Sequence, residues 1–188
     1  GHVAILTGSP DIGGSRASMA LMASEVLGIP FEHIHPQVAA TDAVGHTDLT
    51  GGSRTTLATG QAVIQAAEQC VAEMCRRAAA EWEVEPGVVT WSQGAAHYGD
   101  QSLTFEELAS RAGAMGGPLT FSSSLTSTST APGFGVHICD AEVDKETGRT
   151  TITRYTAIQD AGKAIHPDYV EGQMQGGAVQ GIGWALNE

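Results

Sequence analysis

Apolar and polar positions follow three rhythms along the 188 residues, and each rhythm predicts a kind of element. The run Val3-Ala4-Ile5-Leu6 ends in Gly8-Ser9-Pro10, which marks a buried strand stopped by a turn. A glycine turn follows, with Ser15 placed to cap a helix whose apolar residues, Met19, Leu21, Met22, Val26 and Leu27, recur at near-helical spacing until Gly28 and Pro30 stop it. Residues 31–38 alternate more weakly and predict a second strand, with His33 and His35 on one face. Thr41 to Gly52 is a polar loop. A much longer helix is expected from Ser53 or Thr55 to Glu83, along the stripe Leu57, Ala58, Val63, Ala66, Ala67, Val71, Met74 and Ala78. After Pro86-Gly87, two short runs predict a hairpin turning at Gly94, and Thr104 with Glu107 three residues on predicts a capping box opening a short helix.

Residues 113–133, rich in Gly, Ser, Thr and Pro, predict a loop or linker between a first βα subdomain (1–112) and a last one (134–188). The last subdomain carries the clearest hairpin, two alternating strands joined at Asp144 to Gly148, and then a helix opened by Pro167-Asp168. The fold class is mixed α/β: βα units with long helices, plus a β-hairpin followed by a glycine-rich C-terminal helix.

Charge and composition narrow the classes. Asp and Glu number 21 against 9 Lys and Arg, a net charge of −12, and no basic cluster exceeds Arg76-Arg77. A nucleic-acid or anionic-membrane partner is therefore not expected. There is no long uncharged apolar run and no leader-like start, so the expectation is a soluble, cytoplasmic protein. Cys70, Cys75 and Cys139 have neither metal-site spacing nor an even count, and no disulfide framework is indicated.

Three segments carry candidate chemistry. Gly13-Gly14-Ser15-Arg16 and Gly51-Gly52-Ser53-Arg54 are two copies of the same tetrapeptide, each at a helix start, where amide N–H groups and a positive helix end suit an anion. Thr55 and Thr56 add hydroxyls to the second copy. Plain helix capping explains the Ser and Gly of both copies but not the repeated Arg. The third segment is the closing helix, where Gly172, Gly176, Gly177, Gly181 and Gly183 together cost about 4–5 kcal/mol of helix stability relative to Ala. Gln173 and Gln180 flank the bare strip, which suits either a flat ligand or tight helix packing through small residues.

The order of these motifs, TGSPDIGGSR, then TGGSRTTLATGQAVIQAA, then GFGVHICDAEVDKETGRTTITRYTAIQDAGKAIHPDYVEGQMQGGAVQGIGWALNE, resembles the molybdopterin-binding large subunit of the xanthine oxidase and aldehyde oxidoreductase family of molybdenum hydroxylases. The resemblance implies one molybdopterin-binding domain and a molybdenum held by the dithiolene of a pyranopterin, in some members a cytosine dinucleotide. It implies hydroxylation of an aldehyde or N-heterocycle with water-derived oxygen, and as partners the remainder of the large subunit and iron-sulfur and FAD subunits. By motif, Gln173 resembles the glutamine whose amide reaches the metal centre. Gly13, Gly14, Ser15 and Arg16 match the turn near metal and pterin, and Gly52, Ser53, Arg54, Thr55 and Thr56 match the segment around the pterin or its phosphate.

Departures from the pattern bear on activity. Gly14-Ser15 stand where many relatives carry a glutamine, and His166 stands where many carry Asn. The family's general base is a glutamate in a GxGE-like motif beyond the closing helix, and the chain ends at Glu188 before one. The expectation is a C-terminal fragment that is inactive alone and holds no cofactor. The alternatives are a cofactor-free, self-associating module of the same fold and a small phosphorylated-ligand binder using the two repeated turns. Among other polar groups, His33, His35, His46, His97 and His137 lack a convincing third metal ligand. Asp140, Glu142 and Asp144 read as a solvated strand edge, and Asp160 as a turn or cap residue.

Overall fold

The computed structural model describes residues 1–125 and 132–188, so part of the expected 113–133 linker, residues 126–131, lies outside the described residues. The chain divides into two compact units, Gly1–Thr128 and Ser129–Glu188.

The first unit opens with a βαβ arrangement. Strand β1 (Val3–Thr7) leads through a glycine turn into helix α1 (Ser15–Leu27), and a short 3-10 turn (Phe31–His33) delivers the chain to β2 (Ile34–Val38). The strands pair in parallel, from Val3 opposite Ile34 to Thr7 opposite Val38. Pro36, which has no N–H to give, marks β2 as a strand with only one neighbour. Helix α2 (Gly60–Glu81) is preceded by a single π-helical turn, Thr55–Thr59, so the long helix expected from Ser53 or Thr55 starts wider than an α-helix and ends two residues early. A three-stranded antiparallel sheet follows, β3 (Thr90–Ser92), β4 (Ala95–Tyr98) and β5 (Gln101–Thr104), then helix α3 (Phe105–Ser110). The hairpin turns at Gln93-Gly94, both at positive φ. At Thr104 the capping box is complete, with its hydroxyl accepting from the Glu107 N–H and the Glu107 carboxylate accepting from the Thr104 N–H.

One core holds this unit together. Met19, Leu27, Met74 and Leu108 are almost wholly shielded, and Ala20, Ala23, Ala78 and Ala79 are small enough to let the elements approach closely. Two contacts tie α1 to the hairpin: Trp91 Nε1 donates to the Leu27 carbonyl at 3.0 Å, and Gly28 abuts Gly94 with no room for a Cβ on either. Residues 113–125 carry contacts to α2. Arg77 donates to the Gly117 carbonyl at 2.9 Å, Ser123 donates to Gln65 at 2.7 Å, and Met115 and Leu119 pack against the core.

The second unit is a hairpin and a helix. Strands β6 (Phe134–Val143) and β7 (Thr150–Asp160) pair antiparallel, with Thr153 an extra residue on β7 opposite the Asp140/Ala141 step. Its turn is set by Asp144, whose Oδ1 accepts from the N–H groups of Glu146 and Thr147, and by Gly148 at φ 71°. Asp144 therefore builds the turn and does not extend the acidic strand edge. Asp160 likewise accepts from the Gly162 N–H at 2.9 Å. Helix α4 (Pro167–Leu186) follows, and no residue of β6, β7 or α4 is fully buried. The two units together make the mixed α/β class that the sequence predicts.

Candidate cofactor-binding turns

The first repeated turn satisfies most of its own hydrogen-bonding groups. Gly13 and Gly14 sit at φ 59° and 71°, which brings the chain sharply from β1 into α1, and Gly14, not Ser15, caps the helix. Of the helix-start N–H groups of Gly14, Ser15, Arg16 and Ala17, which the sequence leaves free for an anion, three are taken. Ser15 N donates to the Ile12 carbonyl at 3.2 Å, Arg16 N to Asp11 Oδ1 at 3.1 Å and Ala17 N to the Gly14 carbonyl at 3.1 Å. Ser15 is buried with its hydroxyl directed to the Pro10 carbonyl. The Arg16 guanidinium closes the loop, Nε meeting Asp11 Oδ2 at 2.7 Å. Hydrogen bonding from the Arg16 backbone N–H, reinforced by its side chain, lowers the Asp11 pKa.

The second turn repeats the closure with different chemistry. Gly52 and Ser53 both take positive φ, 60° and 59°, and Arg54 Nη1 reaches back to the Leu49 carbonyl at 3.2 Å. In each copy the arginine therefore bridges to the residue five positions before it, which is why a capping account of the sequence could not explain it. Thr55 is buried, whereas Gly52, Ser53 and Thr56 are exposed. A Cβ placed on Gly52 would meet nothing within 4 Å. The two loops are joined through the residues around them: Ser9 Oγ and Thr59 Oγ1 lie 2.8 Å apart, and Gly60 lies against the Met22 thioether.

The third segment belongs to the second unit. Along α4 a Cβ on Gly172, Gly176, Gly177 or Gly181 would meet nothing within 4 Å, and Gln173 is exposed. The strip is thus bare and is not used for close helix packing within its own unit. His166 precedes the helix with its ring stacked on Tyr169, centroids 3.8 Å apart, and its Nδ1 is buried without a hydrogen-bond partner among the described residues.

Two further findings lie apart from these segments. His33 falls in the turn before β2 and not on the strand, and the imidazole that meets His35 is His2, which is not among the histidines weighed as ligands from the sequence. Among the described residues no group of three or more His, Cys, Asp or Glu side chains is arranged to hold a metal ion, and no helix is long and apolar enough to cross a membrane.

Comparison with known proteins places the chain. The family described as the molybdopterin cofactor-binding domain matches residues 1–188. The nicotine 6-hydroxylase large subunit of Paenarthrobacter nicotinovorans is 30% identical over 200 residues, covering 100% of this chain and 24% of the relative. The carbon monoxide dehydrogenase large chain of Hydrogenophaga pseudoflava is 28% identical over 184 residues, 93% of this chain and 23% of the relative. Among solved structures, the Cu,Mo-CO dehydrogenase in its carbon monoxide reduced state superposes with a TM-score of 0.75 at 26% identity, over 92% of this chain and 23% of that one. The chain spans about a quarter of the length of these relatives. With its whole length matched and its fold shared, the chain belongs to the molybdopterin cofactor-binding domain family of the xanthine oxidase-type molybdenum hydroxylases.

Proposed function

We propose that this chain supplies part of the molybdopterin-binding surface of a molybdenum hydroxylase large subunit, and that the complete enzyme hydroxylates an aldehyde or N-heterocycle with water-derived oxygen. The observation that carries the reading is the uncovered glycine strip of α4 beside the exposed Gln173 amide. A helix that forgoes so much intrinsic stability without using the space for its own packing has room for a flat ligand.

The donor chemistry on the page fits a phosphorylated pterin. Ser53 and Thr56 offer exposed hydroxyls at a helix start, whose dipole favours a phosphate. Gln173 offers an amide able both to donate and to accept. Gly52 leaves open space at the second turn. In this reading Ser53, Arg54, Thr55 and Thr56 surround the phosphate or pterin edge, and Gln173 orients the metal end. Gly13, Gly14, Ser15 and Arg16 act through the fixed shape of their turn, because their amides and the Arg16 side chain are engaged within it. When bound, the cofactor supplies the redox centre, and whether it carries a cytosine nucleotide depends on contacts beyond these residues. The remaining large-subunit polypeptide and iron-sulfur and FAD subunits are the proposed partners.

Cofactor retention tests the reading. Polypeptide of the relatives' length carrying this chain is expressed in a cofactor-producing host, and released pterin is read by fluorescence alongside molybdenum. Gln173→Ala and the Ser53→Ala/Thr56→Ala pair should each lower both signals without altering circular dichroism. Parent-level pterin and molybdenum in both variants would refute it. The 188-residue chain alone is expected to retain little cofactor.

A second reading, a cofactor-free module that associates with itself, draws on one observation. Phe134, Val136, Ile138 and Ile158 form an apolar set on one face of the hairpin, exposed between 50% and 67%. Light scattering separates the two: a monomer at every concentration removes the self-associating module.

A further inference from the structure

Three imidazoles meet at the start of the parallel strand pair. The register sets Val3 opposite Ile34 and Ala4 opposite His35, so His2, one residue before β1, comes close to His35 on β2 and to His33 in the turn that precedes it. The His2 ring lies 5.0 Å from that of His33 and 5.2 Å from that of His35, and is near-parallel to the latter at 26°. His2 Nδ1 and His35 Nε2 face each other at 3.2 Å. Both rings are exposed to solvent, and neither facing nitrogen has another hydrogen-bond partner among the described residues.

That separation has a second chemical meaning besides a hydrogen bond. Two bonds of about 2.0–2.1 Å from imidazole nitrogens to one metal ion place those nitrogens about 3.4 Å apart at a tetrahedral angle and about 2.9 Å apart at a right angle. The observed 3.2 Å lies between the two. In the neutral pair one ring donates its proton to the other. A metal ion needs both lone pairs, which requires that the donating ring move its proton to its other nitrogen, where solvent accepts the hydrogen bond, and that the two solvent-exposed rings turn until both lone pairs meet at the ion.

We propose that His2 and His35 form a two-histidine clamp for a divalent transition-metal ion of the zinc, cobalt or nickel class, with His33 beside it and water completing the coordination. Imidazole pairs favour these ions over magnesium and calcium, which take oxygen ligands. The clamp stands apart from the glycine turns and α4, and does not depend on the cofactor reading. It would tie β1 to β2 across their opening, and binding to the folded chain alone would raise stability with metal concentration.

The experiment is calorimetric titration of Zn2+ and Co2+ into the 188-residue chain prepared without an affinity tag. One equivalent is expected, with no response to Mg2+. His2→Ala and His35→Ala should each weaken binding by at least about tenfold, the lower end of what losing even a ligand's supporting partner does to a metal site. His97→Ala, with its ring on the Ser92 carbonyl, should bind as the parent does. Binding kept in His35→Ala would overturn the proposal, since His2 and the chain-end amine would then suffice. A second readout needs no variant: Zn2+ should protect the His2 and His35 peptides of the parent from diethylpyrocarbonate, and equal modification with and without Zn2+ would equally overturn it.

Discussion

Glu73→Gln should weaken the first unit by an amount that depends on pH. Arg77 is only 5% exposed, and its hydrogen-bond partners among the described residues are Glu73 Oε1 at 2.7 Å and the Gly117 carbonyl at 2.9 Å. Glu73 also takes two bonds from Arg76, at 2.6 and 2.7 Å. Replacing the carboxylate by an amide keeps one acceptor but leaves a shielded guanidinium without its counter-charge. Removing one member of a fully buried ion pair costs about 3–5 kcal/mol, and because Glu73 itself is 22% exposed, solvent screening brings the expectation to about 2 kcal/mol. A loss of that size changes the folding equilibrium by roughly 30-fold. The sign with pH follows from Glu73, whose carboxyl is held down from 4.5 to about 2, first by its hydrogen bonds to Arg76 and then by those to Arg77. A carboxyl with a lowered folded-state pKa contributes fully above its unfolded value and loses the contribution as pH falls toward the folded one. The gap between parent and variant should therefore be constant above about pH 5, narrow between 4.5 and about 2, and close below that. Urea unfolding followed by tryptophan fluorescence measures it, in a Trp184→Phe background so that Trp82 and Trp91 report the first unit alone. Equal stability at pH 7, or a gap unchanged at pH 2, would refute the reasoning.

Other substitutions probe different elements. Gly28→Ala forces a side chain into a φ of 69° and drives its Cβ into the Gly94 backbone nitrogen. It should cost about 2–3 kcal/mol by thermal or urea unfolding, whereas Gly99→Ala, at φ 55° with open space around it, should cost only about 1. Thr104→Ala removes the capping hydroxyl from α3 and should lower stability by about 1 kcal/mol in the same assay. Gly177→Ala should strengthen α4 by up to about 1 kcal/mol in helicity measurements yet reduce cofactor retention, and a variant better in both would argue against a ligand on that strip. Of the three thiols, exposed Cys139 should react first with a thiol reagent at pH 8. Burial pushes Cys70 up to about 11 and also raises Cys75, which keeps both protonated.

Strong local rhythms translated directly into structure. The β6-β7 hairpin was legible because ten paired positions alternate around a turn that needs Gly148, and α3 because Thr104 and Glu107 form a complete box. Strand β5 was not, since Gln101–Thr104 holds a single apolar residue, Leu103, and its place comes from pairing with β4. The π-turn before α2 left no trace in the apolar stripe, because Thr55–Thr59 keeps the helical face pattern while widening the backbone. At the candidate site, the sequence located both turns but misjudged their free donors. Which N–H finds an acceptor is decided by the carbonyls of Ile12 and Gly14 and the carboxylate of Asp11, and their approach depends on two consecutive positive φ angles. The pairing of His2 with His35 was not legible for a related reason: parallel pairing across α1 brings together residues 33 positions apart, and no spacing rule covers that distance.

The exposure of the second unit bears on where such a chain is vulnerable. Val179 and Trp184 of α4 are 68% and 70% exposed, and the hairpin buries nothing fully. Sixty residues held by one ladder of backbone hydrogen bonds and one glycine-weakened helix have little hydrophobic gain to offset their ordering entropy. The first unit carries a core of its own in Met19, Met74 and Leu108, whereas among its described residues the second buries no side chain fully in β6, β7 or α4, so the second is the part that proteases and aggregation reach first.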